Sequence, residues 1–343
     1  MSSPASHAQP GERALIEHIR RRLPAPPLSV IIGPGDDAAV LTPTRGALQV
    51  LTTDAIVEGV HFDRRFSSLS DIGFKALAVN ASDIVAMGAA PEFALLSLIL
   101  PDGFTIADLD ALMDGVVEMA ASARTVVVGG NISRSPGPLI VDVTMTGSVR
   151  PRRVLSRAGG RPGDAVYVTG SIGGAAAGLA ALQSGKADDL DGPLGTCMRR
   201  HRRPEPRLRI GMLLGRNRAA SACMDLSDGL ADAIRQVAEA SGTGASIVAG
   251  ALPIDPAAAS WFAEQGQDPV VSALSGGDDY ELLFTVPKKL RGRFRGVQRL
   301  AQEVAMTRIG ELTGEAGVQL VRADRAEPMP EGFSHFPKRG HST

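Results

Sequence analysis

Six times along this chain an apolar run breaks off into a carboxylate or carboxamide set among glycines or hydroxyl residues. GPGDDAAVL carries Asp36 and Asp37, VLTTDAIVEGVHF carries Thr52, Thr53 and Asp54, and AVNASDIVAMGA carries Asn80, Ser82 and Asp83. VVVGGNIS then supplies Gly129, Gly130 and Asn131, SACMDLSDGL supplies Asp225, Ser227 and Asp228, and LSGGDDYEL supplies Asp278 and Asp279. Two carboxylates about 4 Å apart repel by roughly 4 kcal/mol at an effective dielectric near 20. A fold that gathers such run ends therefore needs cations between them or protons bound to them. Magnesium prefers oxygen ligands, shared with water and substrate phosphates. Glycines beside the carboxylates let backbone N–H groups approach phosphate oxygens. The pattern points to a metal–polyphosphate site.

Each segment also has a plainer reading. Asp-Asp after Gly is common in turns. Ser227 and Asp228 before an apolar period would serve as a helix N-cap. Asp83 is different: it interrupts an apolar helical pattern, where an unpaired carboxylate is costly to bury. Asn80 and Asp83, three apart, would share a helix face.

Around these segments the chain alternates between helical and strand patterns. Leu15, Ile16, Ile19 and Leu23 predict a helix over 11–23, ended by PAPP at 24–27. LQVLTT (48–53), TVVV (125–128) and LIVDVTMTG (139–147) read as strands, and 74–89 and 106–123 as helices. RPRRVLSRAGGRPGD (150–164) marks a connection, after which AVYVTG (165–170) opens a second block. A helix near 174–183 and a strand at 281–286 follow. RRHRRPEPRLR (199–209) reads as a solvated loop, its prolines opposing a regular basic helix. This order predicts an α/β layered fold in two domains. The expected divisions are an N-terminal tail and helix (1–28), a first domain (29–150), a second (151–336) and a tail (337–343).

With 343 residues, net charge −1, 44% hydrophobic and 4% aromatic residues, the chain has no basic coat or aromatic platform for nucleic acid. Cys197 and Cys223 show no zinc-ligand spacing and read as buried thiols. The longest apolar run, Phe93 to Leu100, is far short of the roughly 20 residues that span a bilayer. A cytoplasmic protein is expected, with neither membrane nor nucleic acid as partner. No GxxxxGK[ST] loop, kinase HRD or DFG set, dinucleotide fingerprint or GxSxG elbow occurs.

Taken together, GDDAAV, TTDAIVEGVHF, KALAVNASDIVAMGA, GGN, SRAGGRPGDAVYVTG, RHRRPEPR, DLSDGL, LSGGDDYEL and GFSHF resemble the thiamine-monophosphate kinase family. That family lies within the superfamily of aminoimidazole ribonucleotide synthetase and selenophosphate synthetase. The motifs run in family order from about 35 to 336. The resemblance implies a two-domain aminoimidazole ribonucleotide synthetase-like fold, a homodimer paired through its N-terminal halves, and ATP-dependent conversion of thiamine monophosphate to thiamine diphosphate with several Mg²⁺ per site. It implies magnesium ligation by Asp37, Thr52, Thr53, Asp54, Asp83, Asn131, Asp225 and Asp228. ATP contacts fall on Gly130, Asn131, Arg157 and Ser227, and thiamine-phosphate contacts on His61, Asp278 and Phe333. Asp83, Asp225, Asp228 and Arg157 would carry the catalysis. From residue type alone His61 would be a half-buried structural histidine, and Phe333 a C-terminal core anchor or equally a ring packed on the substrate.

Two positions depart from the family pattern: Asn131 stands where Asp is usual, and Asp278 where Glu is common. Another ATP-using enzyme of the superfamily, or a non-catalytic nucleotide- or metal-binding regulator, is the alternative. Selenophosphate synthesis is disfavoured because the first cysteine is Cys197, far from the N-terminus.

Overall fold

The computed structural model describes residues 12–186, 191–323 and 325–333. The first ten residues, the C-terminal tail, and positions 334–336 of the GFSHF motif lie outside the described residues. The chain divides into two compact units, one of residues up to 81 together with 91–148, the other of 82–90 together with 149 onward. The division thus falls two residues before the boundary expected from sequence, and a nine-residue segment from the middle of the first half belongs with the second unit.

In chain order the first half forms α1 (Glu12–Arg22), β1 (Val30–Ile32), β2 (Val40–Leu41), β3 (Leu48–Val57), α2 (Leu69–Ala86), β4 (Ala90–Pro101), α3 (Ile106–Ala123), β5 (Val126–Ser135) and β6 (Ile140–Val149). The first unit is built on a four-stranded sheet in the order β3-β6-β4-β5. β4 and β5 run parallel, joined by α3 as a crossover helix. Helix α3 occupies the span its pattern predicts because both ends are capped. Thr105 and Asp108 form a reciprocal capping box, and Arg124 closes the helix in the left-handed region at φ 56°. Its apolar stripe, Leu109, Leu112, Met113 and Val116, is fully buried. β6 shows the period-two alternation of a half-buried strand: Val141, Val143 and Met145 are buried, while Asp142, Thr144 and Thr146 take the other face.

Helix α2 begins five residues before the expected Phe74. Ser68 and Asp71 cap its start: Asp71 N–H donates to Ser68 Oγ (3.1 Å) and Ser68 N–H to Asp71 Oδ2 (3.2 Å). Gly73 in α2 and Gly115 in α3 let the helices touch backbone to backbone. A Cβ on Gly73 would lie 2.0 Å from the Leu112 carbonyl, and one on Gly115 1.8 Å from that of Ser70.

The second half forms β7 (Ala165–Thr169), α4 (Gly174–Gln183), α5 (Gly195–Arg202), α6 (Leu208–Asn217), β8 (Ala222–Asp225), α7 (Leu230–Ser241), β9 (Gly244–Val248), α8 (Pro256–Glu264), α9 (Pro269–Ser275), β10 (Leu282–Val286), α10 (Arg291–Leu300), β11 (Met306–Thr313), β12 (Val318–Arg322) and β13 (Arg325–Pro328). Its seven-stranded sheet has the order β13-β12-β9-β11-β7-β10-β8. Only β12–β9 is parallel among these pairs.

Helices cover both faces of this sheet, and β10 shows why its run is continuously apolar. Leu282, Phe284 and Val286 join Ile210, Leu214, Phe294 and Val297 on the α6/α10 side. Leu283 joins Leu230, Ile234, Val237 and Leu274 on the α7/α9 side. Both cysteines are buried and unpaired, and burial pushes the Cys197 thiol up to about 12. Among the described residues no helix is long and apolar enough to cross a membrane.

Candidate active site

In the second unit the expected residues converge on one loop, 226–229, between β8 and α7. Asp225 ends β8 with 3% of its surface exposed, and Ser82 Oγ, one residue before Asp83, donates to its Oδ2 (2.7 Å). Asp83 is half-buried in the last turn of α2. Ser227 does not cap α7; that position falls on Gly229, at φ 93°. The capping alternative for Ser227 is thereby removed.

The backbone of the loop gathers two other segments. Asp278 N–H donates to the Ser227 carbonyl (2.8 Å) and Phe333 N–H to that of Asp228 (3.1 Å). Phe333 is half exposed, at 51%, so its ring is not a core anchor. Arg157 reaches α7 from the other side, donating through Nη1 to Gln236 Oε1 (2.5 Å).

Asp278 sits in strained backbone. It and Tyr280 have φ of 68° and 48°, a region L-residues adopt at a cost of about 1–3 kcal/mol each. The surroundings hold this turn in place. Asp279, between them, is buried and accepts from the N–H groups of Gly173 (2.6 Å) and Ala175 (3.1 Å) at the start of α4. Burial pushes the Asp279 carboxyl up to about 6, against the pull of Arg200 and of those N–H groups. Glu281, with no exposed surface, accepts two bonds from Arg207 (2.5 and 2.6 Å), one from Arg200 (3.0 Å) and one from Thr169 Oγ1 (2.6 Å).

RRHRRPEPRLR is therefore not a solvated loop. Its first four residues complete α5, and Arg200 and Arg207 turn inward because a buried carboxylate needs both of them. The same segment supplies His201, 3% exposed, whose Nδ1 lies 3.3 Å from Asp278 Oδ2. Tyr280 Oη donates to the other carboxylate oxygen, Oδ1 (3.3 Å). His201 was not legible as a site residue, since nothing local links it to a carboxylate far along the chain.

In the first unit the expected residues lie on two separate strands. Thr52, Thr53 and Asp54 are on β3, where alternation puts Thr52 and Asp54 on one face and Thr53 on the other. The Thr53 hydroxyl is engaged with β6, through Thr144 Oγ1 (3.0 Å) and the Val143 carbonyl (3.3 Å). Gly130 and Asn131 are on β5. A Cβ on Gly130 would sit 1.8 Å from the Leu96 carbonyl, so only glycine fits against β4 there. Asn131 Nδ2 donates to Ser133 Oγ (2.9 Å), which leaves Oδ1 as the atom for a cation. Asp37 is exposed in the turn between β1 and β2.

His61 folds back on its own loop. Its Nδ1 accepts from Val57 N–H (3.1 Å), so the proton of the neutral ring sits on Nε2. Lys75, buried at 2% exposure, donates from Nζ to the His61 carbonyl (2.9 Å) and fixes that loop. This supporting lysine was also missed from sequence.

Because β3 and β5 are the two edges of the sheet, their backbones are about three strand spacings, or roughly 14 Å, apart. Among the described residues no three His, Cys, Asp or Glu side chains are gathered closely enough to hold a metal ion. The donors are nevertheless all hard oxygens, the chemistry magnesium selects.

Comparison with known proteins defines the class first. Residues 35–149 match the AIR synthase related protein N-terminal domain, and residues 161–322 its C-terminal domain. The thiamine-monophosphate kinase of Bacillus subtilis (strain 168) is 35% identical over 319 residues, covering 90% of this chain and 94% of its own. The crystal structure of thiamine-monophosphate kinase from Stenotrophomonas maltophilia K279a superposes with a TM-score of 0.79 at 35% identity, covering 90% and 95% of the two chains. AaThiL complexed with AMPPCP and TMP gives 0.75 at 33% identity, covering 86% of this chain and 89% of that one. The chain belongs to the thiamine-monophosphate kinase family.

Proposed function

We propose that this chain transfers the γ-phosphoryl group of ATP directly to thiamine monophosphate, forming thiamine diphosphate and ADP in the cytoplasm. The observation that carries the reading is the convergence of Asp225, Ser227, Asp228, Asp278 and Phe333 on the β8–α7 loop, with Arg157 bonded to Gln236 of the helix that follows. AaThiL, a relative of similar fold, was solved with AMPPCP and TMP.

The chemistry asks little of a general base. A phosphate monoester has its second pKa near about 6, so the acceptor is already largely dianionic at neutral pH. The difficulty is bringing two anions together, and positioning plus fixed positive charge meets it. Asp278, His61 through Nε2–H, and Phe333 would bind and orient the acceptor. Arg157 would hold a guanidinium against the nucleotide, and Gly130 would let β5 backbone approach a phosphate. Asp37, Thr52, Thr53, Asp54, Asp83, Asn131, Asp225 and Asp228 would hold magnesium, which when bound neutralises phosphate charge. Asn131 contributes one negative charge fewer than Asp would.

The separation of β3 from β5 within one sheet favours a homodimer, in which the β3 donors of one copy meet the β5 donors of a second.

An assay for thiamine diphosphate with ATP and Mg²⁺ tests the reading. One ADP should form per thiamine diphosphate, with no covalently phosphorylated protein. Ligand binding without turnover, or a trapped phosphoenzyme, would refute it.

His201 acts here as a positioning residue, through Asp278. His201→Ala should raise KM for thiamine monophosphate about tenfold, because the 3.3 Å contact that steadies the Asp278 carboxylate is lost. It should leave kcat and KM for ATP within about twofold. A matching rise in both KM values would reduce His201 to a structural role.

A further inference from the structure

We infer that the second unit carries an anion site for a polyphosphate chain, built from Arg152, Arg153, Arg216 and Arg218. These four, with Arg150 and Pro151, line one groove of about 500 Å³. The volume is in the range of small-molecule sites, about 300–1,000 Å³. None of the lining residues belongs to the site described above.

Several other arginines among the described residues are ion-paired: Arg22 with Asp110, Arg134 with Asp102, Arg207 with Glu281, Arg322 with Asp268. Among the described residues, the side chains of Arg152, Arg153, Arg216 and Arg218 make no ion pair or hydrogen bond. The cluster is not the surplus of a basic protein, since the net charge is −1.

Its two walls are held together by backbone, so the like charges cannot drift apart. Pro151 opens a short 3-10 turn, Pro151–Arg153, that Arg153 N–H closes onto the Arg150 carbonyl (2.8 Å). The Arg153 carbonyl is wedged between two glycines. A Cβ on Gly215 would come within 2.7 Å of it and one on Gly88 within 2.9 Å. Leu155 N–H donates to the Met87 carbonyl (3.0 Å) and ties the same strap down.

The C-terminus of α6 accounts for a cation at Arg216 and at its C-cap, Arg218. It does not account for Arg152 and Arg153, which come from another segment and face the same space. Guanidinium groups match phosphate oxygens through paired N–H donors. The groove has no aromatic lining and no acidic residue. It therefore suits phosphates rather than a base or a ring, either free polyphosphate or the tail of a nucleotide.

The test is calorimetric titration of the full chain with inorganic tripolyphosphate, free of divalent cations, against the triple variant R152Q/R153Q/R216Q. The wild type should bind about one tripolyphosphate per chain at this site. Affinity should fall at least about tenfold in the variant and weaken as salt rises. The unfolding midpoint and the ATP-dependent turnover should stay unchanged, because none of the three residues is in the proposed catalytic machinery. A parallel titration with AMPPCP separates the sources. Variant-sensitive binding of AMPPCP identifies a nucleotide tail, and its absence beside tripolyphosphate binding identifies free polyphosphate. Equal tripolyphosphate affinity in wild type and variant would overturn the proposal. So would variant-sensitive binding of a single-stranded RNA oligomer with none of tripolyphosphate.

Discussion

Asp83→Ala is expected to lower the rate of thiamine diphosphate formation by more than about a hundredfold, the scale of removing a charge-stabilising group from a phosphoryl-transfer site. The substitution spares the helix that carries it. Asp83 lies inside α2, where alanine is the best helix former, so the helix itself is not weakened. Its neighbour Ser82 keeps the 2.7 Å bond to Asp225, so the register between α2 and β8 is retained. The loss should fall on kcat, and the thermal midpoint should move by only a few degrees. Asp83→Asn provides the second measurement: it keeps an oxygen donor, and should recover part of the rate when Mg²⁺ is raised. Near-normal turnover in the alanine variant would remove Asp83 from the chemistry altogether.

Arg207→Ala has the largest expected effect on stability. Glu281 has no exposed surface and takes two charged hydrogen bonds from Arg207, at 2.5 and 2.6 Å. Burial alone would lower the Arg207 guanidinium, but the Glu281 carboxylate holds it above its ordinary value. Truncating one partner of a buried pair leaves the other charge stranded, at a cost of about 3–5 kcal/mol. Arg200 and Thr169 still touch Glu281, which argues for the lower end, about 3 kcal/mol. Urea unfolding should show an earlier midpoint at an unchanged slope. Pairing Arg207→Met with Glu281→Leu should restore much of the loss, because no buried charge is then left alone. A single variant as stable as the wild type would show that Glu281 is not held as described.

The elements most legible in the sequence were those whose local signals agreed. In α3 the apolar period, the Thr105 cap and the stop at Arg124 coincide, so both ends were readable. Helix α2 was read short because its pattern was traced from Phe74, although the Ser68–Asp71 capping signal lies just upstream. β3 and β5 read as strands that end too early, β3 because Asp54 interrupts its run before Ala55–Val57, and β5 because glycines and polar residues follow Val128.

The candidate site divides along the same line. Residue types and motifs marked the loops, but not which partner each would find. The arginine-rich segment looked solvated because its partner, Glu281, is 74 residues from Arg207. Ser227 looked like a cap until Gly229 took that position. His201 and Lys75 act on other site residues, and no spacing rule exposes that kind of support.

The nine residues 82–90 carry a consequence for how such a chain can be recombined. They are threaded through the N-terminal half yet are compact with the C-terminal one. A clean exchange of halves at position 150 would part Ser82 from Asp225 and Val85 from the close approach of Gly211. The two units are therefore not interchangeable cassettes. A hybrid that swaps one of them must carry the foreign nonapeptide along, grafted into the middle of the resident half.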